Sequence, residues 1–118
     1  MFRPGTEAEC FDGYEQAVRD ERWVVIPLWH PQYLHHRHRI RALHEPKHLL
    51  GGVDEATLII RREAEALIHP GTLQTLAKLQ LDNDVVTMLD HRIRKEGQSP
   101  QQAASDWLDA AGHAVSSI

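Results

Sequence analysis

The chain has 118 residues, of which 42% are apolar and 25% are charged, and its formal net charge is −4 when the histidines are neutral. This composition excludes an intrinsically disordered or collagen-like chain and fits a domain that can bury a core. Cys10 is the single cysteine, which excludes an intramolecular disulfide and a cysteine-based zinc site. The excess of Asp and Glu argues against a nucleic-acid-binding protein, which is usually basic.

The N-terminal pattern predicts an amphipathic helix from about Glu7 to Asp20. Thr6 and Glu9 have the spacing of a capping box, in which the Thr6 hydroxyl and the Glu9 carboxylate each accept a backbone N–H. The apolar residues behind it share one helical stripe, which we expect to face the core: Cys10, Phe11, Tyr14, Ala17 and Val18.

Two apolar, β-branched runs predict strands. Trp23–Leu28 is continuous enough to be a strand buried on both faces, although Pro27 leaves one side unpaired there. Ala56–Ile60 predicts the second strand. Between them, residues 32–44 predict a turn or short helix followed by irregular chain.

The C-terminal half predicts three helices. The first runs from Pro70 to Leu81, and the second follows caps at residues 82–84 and ends at Gly97. Ser99 and Pro100 then open a third helix, with an N-cap hydroxyl and a proline at the first position. The pattern as a whole predicts an α/β chain with few strands flanked by about four helices.

The aromatic turn that follows the first predicted strand is the most informative stretch for function. Trp29 and Tyr33 flank His30, Pro31 and Gln32. In open α/β sheets ligands bind at the carboxyl ends of strands, and Trp and Tyr faces attract quaternary ammonium groups. The alternative interpretation is that the two rings only cap the edge of the core.

Five of the nine histidines lie in one segment, between His30 and His44. Imidazoles in such number are compatible with a zinc or copper site. However, no Asp or Glu lies between Glu21 and Glu45, and three arginines interrupt the segment, so we expect no metal ion there. The alternatives are a solvated basic segment and a pH-responsive one.

No catalytic residues are predicted, and we expect the protein not to be an enzyme. The sequence lacks a glycine-rich phosphate loop, a nucleophile elbow and a zinc-protease motif. Cys10 lies on the apolar stripe, where burial usually makes a thiol inert. No cofactor is expected.

Four segments, in the right order, resemble the C-terminal part of substrate-binding proteins of glycine betaine/choline-type ABC transporters. Trp23–Tyr33 resembles a hydrophobic strand that enters an aromatic turn, and Tyr14–Arg22 resembles the helix before it. Arg39–Lys47 resembles a following segment that ends in an acidic residue, Pro and Lys. Ser99–Leu108 resembles the closing helix.

The resemblance implies a partial type II periplasmic-binding-protein-like lobe from a bilobed protein that captures a quaternary amine in an aromatic cage. Trp29 matches a cage tryptophan, and Tyr33 lies where the family often has a second one. Gln32 replaces a usual histidine near the ligand carboxylate, for which His30 or His35 would compensate. We therefore predict that Trp29, Tyr33, Gln32 and His30 bind ligand.

The resemblance also implies the biological setting. Residues 1–118 are expected to be a single domain or a fragment that corresponds to the C-terminal part of such a protein, with an ABC permease as partner. The expected location is periplasmic or extracytoplasmic, although no signal peptide is visible in the sequence. We also predict a homodimer, because two strands would leave an open sheet edge.

Two other functions stay open from the sequence. One is a histidine-rich metal-binding or pH-responsive small protein, and the other is a structural dimer without a ligand. No nucleic acid is expected as a partner of any of them.

Overall fold

The computed structural model describes residues 3–112, which divide into two compact units. The first unit comprises residues 3–39 and 82–112, and the second is Ile40–Leu81. The helices of the described residues, in chain order, are α1 (Glu7–Arg19), α2 (Leu34–Arg37), α3 (Arg62–Glu65), α4 (Pro70–Lys78), α5 (Asn83–Arg94) and α6 (Pro100–Ala110).

The start of α1 confirms the predicted capping box. Glu9 N donates to Thr6 Oγ1 over 3.2 Å, and Thr6 N donates to Glu9 Oε2 over 2.7 Å. Of the predicted apolar stripe, Phe11, Tyr14 and Ala17 are buried. Val18, which was also predicted to face the core, is instead 41% exposed.

The predicted α/β fold, with few strands flanked by about four helices, is wrong. The partial type II periplasmic-binding-protein-like lobe that the resemblance implied is wrong with it. No strand occurs in residues 3–112, whose regular structure is all helical. Trp23–Leu28 and Ala56–Ile60 lack strand structure, with Trp23 99%, Val25 76% and Ile59 92% exposed. An extended segment becomes a strand only when its amide and carbonyl groups pair with a neighbour, and an apolar run does not supply that neighbour.

The later helices begin where local signals predict. Asp82 caps α5 by accepting from Val85 N over 2.8 Å, and Ser99 caps α6 by accepting from Gln102 N over 3.1 Å. Helix α4 ends at Lys78, three residues before the predicted end. The turn or short helix predicted within residues 32–44 is α2.

The buried core lies in the first unit, where α2 packs on α5 and α5 packs on α6. Leu34, at the start of α2, is fully buried, and Phe11, Tyr33 and Ala103 are at most 3% exposed. Residues 40–81 contain no buried side chain. The core of the first unit therefore forms around the turn that precedes α2.

Within residues 3–112, none of the helices combines the length and the apolar character that crossing a bilayer requires.

We predict that Leu34→Ala destabilises the protein by about 2–5 kcal/mol, because it leaves a cavity in the core of the first unit. Chemical denaturation followed by circular dichroism measures this free energy of unfolding. Leu50→Ala is the matched control, since Leu50 is 82% exposed and its truncation should change stability by less than about 0.5 kcal/mol. Equal effects of the two substitutions would contradict this description of the core.

Candidate functional site

Three aromatic rings meet beside the turn before α2, and we call Phe11, Trp29 and Tyr33 the ring cluster. The Phe11 centroid lies 5.7 Å from that of Trp29, with the ring planes tilted by 52°. It lies 5.9 Å from that of Tyr33, edge to face at 86°. Such pairs contribute about 0.5–1.5 kcal/mol beyond the area that they bury. Phe11 thereby holds the two predicted ligand-binding rings in one cluster.

The two predicted rings differ in exposure. Trp29 is 51% exposed, whereas Tyr33 is only 3% exposed. Trp29 therefore presents an aromatic surface to solvent, while Tyr33 belongs to the core. This half-exposed ring, held from behind by Phe11, is the feature of the cluster that a ligand can reach.

Hydrogen bonds between backbone and side-chain atoms fix the turn that carries Tyr33. Tyr33 N donates to Asp90 Oδ2 over 2.8 Å, which ties the turn to α5. Leu34 N donates to Gln32 Oε1 over 2.7 Å. His35 Nε2 lies 3.2 Å from the Trp29 carbonyl oxygen and ties α2 back to the start of the turn.

Gln32 is almost fully buried at 2% exposure. Its oxygen is used within the turn, but its Nε2 is buried without a hydrogen-bond partner among the described residues. A buried donor of this kind costs about 1–3 kcal/mol when it stays unpaired. The Gln32 side-chain NH2 group, immediately before Tyr33 in the chain, thus has no hydrogen-bond acceptor among the described residues.

His30 contacts α2 rather than the ring cluster. Its ring stacks on that of His35, with centroids 3.6 Å apart and planes 18° from parallel. Burial and the nearby His30 charge lower the pKa of His35. The structure therefore places the exposed His30 ring against a second imidazole.

Two cations lie over the Tyr33 ring. The Lys95 ammonium is 4.8 Å from the ring centroid, and the Arg94 guanidinium is 5.9 Å away. Lys95 Nζ also lies 3.0 Å from Glu15 Oε1. Burial acts to lower the pKa of Lys95, but its hydrogen bonds to Glu15 and Tyr33 outweigh burial and raise it.

Carboxylates hold the second cation. Arg94 Nε donates to Asp90 Oδ1 over 2.8 Å, and Arg94 Nη1 lies 2.9 Å from Glu7 Oε1. Asp90 therefore binds both the turn and Arg94 with its two oxygens.

A shallow depression of about 250 Å³ lies in front of Tyr33. Its wall combines aromatic rings with charges of both signs, contributed by Ala8, Phe11, Asp12, Tyr33, Arg94 and Lys95. A small polar molecule with an apolar surface fits this chemistry better than a purely apolar one does.

His36, His38 and His91 use their rings in packing. His36 lies against His91 with centroids 4.5 Å apart, and His38 packs edge to face on Tyr14 at 5.4 Å. Within residues 3–112, no group of three or more His, Cys, Asp or Glu side chains is placed to hold a metal ion.

The comparison with protein families decides the identity of the chain. Residues 1–110 match the model of the substrate-binding domain of ABC-type glycine betaine transport systems. The chain belongs to this family. It is thus a substrate-binding component of a glycine betaine ABC transporter, whose ligand is a small molecule and whose partner is an ABC permease. Searches of curated proteins and of solved structures gave no significant match.

The match confirms the family that the sequence motifs predict, and this family consists of binding proteins that act outside the cytoplasm. Sequence analysis did not identify Lys95, Arg94 and Asp90 as neighbours of Tyr33. Tyr33 and Asp90 lie 57 residues apart, and no local pattern links them. Phe11 was predicted only as a core residue, although its place on the α1 stripe was correct.

We predict that the protein loses stability as the pH falls through about 6.5, the ordinary histidine pKa. Burial lowers the pKa of His38 and of His91, so the folded state binds protons less tightly than the unfolded state does. The stabilisation is complete above about pH 6.5 and is lost as the pH falls toward the lowered folded-state pKa.

The free energy of unfolding, measured between pH 7.5 and 5.5, tests this prediction. His91→Gln should flatten the decline, and His44→Gln, at an exposed position in the second unit, should leave it unchanged. A profile that is flat in the native protein, or equally steep in both variants, would contradict the role of burial.

Proposed function

We propose that the ring cluster captures the quaternary ammonium group of glycine betaine or a related amine, with Trp29 as the principal contact. The observation that carries this proposal is the half-exposed Trp29 ring, which Phe11 supports from behind at 5.7 Å. A quaternary ammonium is weakly hydrated and cannot donate hydrogen bonds. An aromatic face can therefore attract it, by about 0.5–2 kcal/mol per ring depending on desolvation.

We assign different roles to the four predicted contacts. Trp29 offers an accessible ring face, and Tyr33 forms the inner aromatic wall. Gln32 holds the unpaired Nε2 amide group, which is buried and would meet the polar end of the ligand only after the turn opens. His30 contributes at the rim, where its ring is stacked on His35.

The proposed mechanism is reversible capture of the ligand and its delivery to the permease. None of its steps forms or breaks a covalent bond, so we propose that the protein is not an enzyme and needs no cofactor. The ligand keeps its net charge, and affinity depends on aromatic contact and on the charges around Tyr33.

The alternative function as a histidine-rich protein has two forms, metal binding and a response to pH, and metal binding has less support. Nearly parallel stacking of His30 on His35 brings ring faces together and does not converge their nitrogens on a common ligand. The half-buried rings of His38 and His91 favour a response to pH instead. About one zinc ion per chain after dialysis against a chelator would favour the metal-binding alternative.

We also propose that the isolated chain forms a homodimer. The support is the number of large apolar side chains that are exposed to solvent, including Trp23, Val25 and Ile59. Exposed apolar side chains of this kind favour association with a second copy. Light scattering should give a mass twice the 13.5 kDa of the monomer, and a monomer mass at high micromolar concentration would contradict the proposal.

We predict that Trp29→Ala weakens binding of glycine betaine at least tenfold, because it removes the exposed ring from the cluster. Isothermal titration calorimetry measures the affinity, and circular dichroism checks the fold. Trp23→Ala is the matched control, because Trp23 is 99% exposed and lies outside the ring cluster. Unchanged affinity in Trp29→Ala together with a sharp loss of stability would make Trp29 a core residue and overturn the assignment.

A further inference from the structure

We infer that Lys95 determines the specificity of this site, favouring amines that also carry a carboxylate over amines with a net positive charge. The inference rests on the proposed function, because it assigns a role to the residue that covers Tyr33 within the same site. Lys95 is distant in sequence from the aromatic turn and was not predicted as a contact.

Lys95 occupies the ring face that a bound ammonium would use. Its Nζ lies 4.8 Å from the Tyr33 centroid, within the range of a cation–π contact, and its side chain is 24% exposed. Glu15 holds it there, with its two carboxylate oxygens 3.0 and 3.1 Å from Nζ. The Tyr33 ring therefore already carries an internal ammonium.

A second cation adjoins this position. Arg94 lies 5.9 Å from the same ring and is paired with Asp90 and Glu7, while Glu15 is shared between Lys95 and Arg37 at 3.5 Å. The carboxylates near these two cations are thus committed to ion pairs. An amine with net positive charge that approaches Tyr33 meets like charge at close range, which opposes binding.

The depression also offers a position for each end of a zwitterion. Helix α1 contributes Phe11 and the Asp12 carboxylate to its wall, whereas the end of α5 contributes Arg94 and Lys95. Asp12 has no ion-pair partner among the described residues. An ammonium group oriented toward α1 leaves the ligand carboxylate oriented toward Lys95. There the lysine charge is attractive, and the same residue penalises a ligand without a carboxylate.

Calorimetric titration with glycine betaine and with choline tests this inference, because the two share a trimethylammonium group and differ in the carboxylate. We expect the native protein to bind glycine betaine more tightly, and Lys95→Met to reduce the ratio of the two affinities by about tenfold. Lys95→Arg keeps the charge and should keep the ratio. Lys78→Met, in α4 of the second unit, is the control for loss of one positive charge elsewhere.

The outcomes separate the inference from the proposed function. If the native protein binds both amines and Lys95→Met leaves their ratio unchanged, the role of Lys95 is wrong and the proposed site stands. If Lys95→Arg loses the preference as fully as Lys95→Met does, the charge is not responsible and the inference is also wrong. If the native protein binds neither amine, the proposed function itself fails, and the inference fails with it.

A measurement on the native protein covers the case in which Lys95→Met does not fold. The side-chain Hε protons of Lys95 should resonate upfield in the NMR spectrum because of the Tyr33 ring current. Saturation with glycine betaine should move these resonances as the ligand carboxylate pairs with the Lys95 ammonium, while those of Lys78 stay in place. Lys95 resonances that do not respond to saturating ligand would contradict the inference.

Discussion

The hydrogen bond between Tyr33 N and the Asp90 carboxylate joins two parts of the chain that are 57 residues apart. It fixes the turn before α2 against α5, and the fully buried Leu34 follows directly in the core. The other oxygen of Asp90 holds Arg94, which pairs with Glu7 of α1. One carboxylate thus links the aromatic turn, α5 and α1, and the position of Tyr33 against Phe11 depends on that link.

The ion pairs around Tyr33 are organised about a second carboxylate. Glu15 is 9% exposed and contacts both Lys95 and Arg37, so it joins α1 to the ends of α2 and α5. Leaving such a group unpaired would be costly, since a buried charge needs compensation. The same contacts hold an ammonium over the ring that the ligand is proposed to use. Packing of the first unit and the selectivity proposed for the ligand therefore depend on shared residues.

Local signals in the sequence predicted the parts of the fold that depend on a few neighbouring residues. The Thr6–Glu9 capping box, the Asp82 and Ser99 caps and the α1 stripe need no information from distant residues. The caps are confirmed, and so are Phe11, Tyr14 and Ala17 of the stripe. The strands were predicted wrongly because pairing is non-local: Trp23–Leu28 has strand composition but no ladder within the described residues. The same limit applies to the site, where the aromatic turn was recognisable but Lys95 and Asp90 were not.

The central claim is that a quaternary amine contacts the ring cluster, and intermolecular nuclear Overhauser effects test it most directly. The N-methyl protons of bound glycine betaine should show effects to the ring protons of Trp29 and Tyr33, with none to Trp23, which is 99% exposed away from the cluster. Effects confined to Trp23 or Trp107, or none to the Trp29 and Tyr33 rings at saturating ligand, would contradict the account.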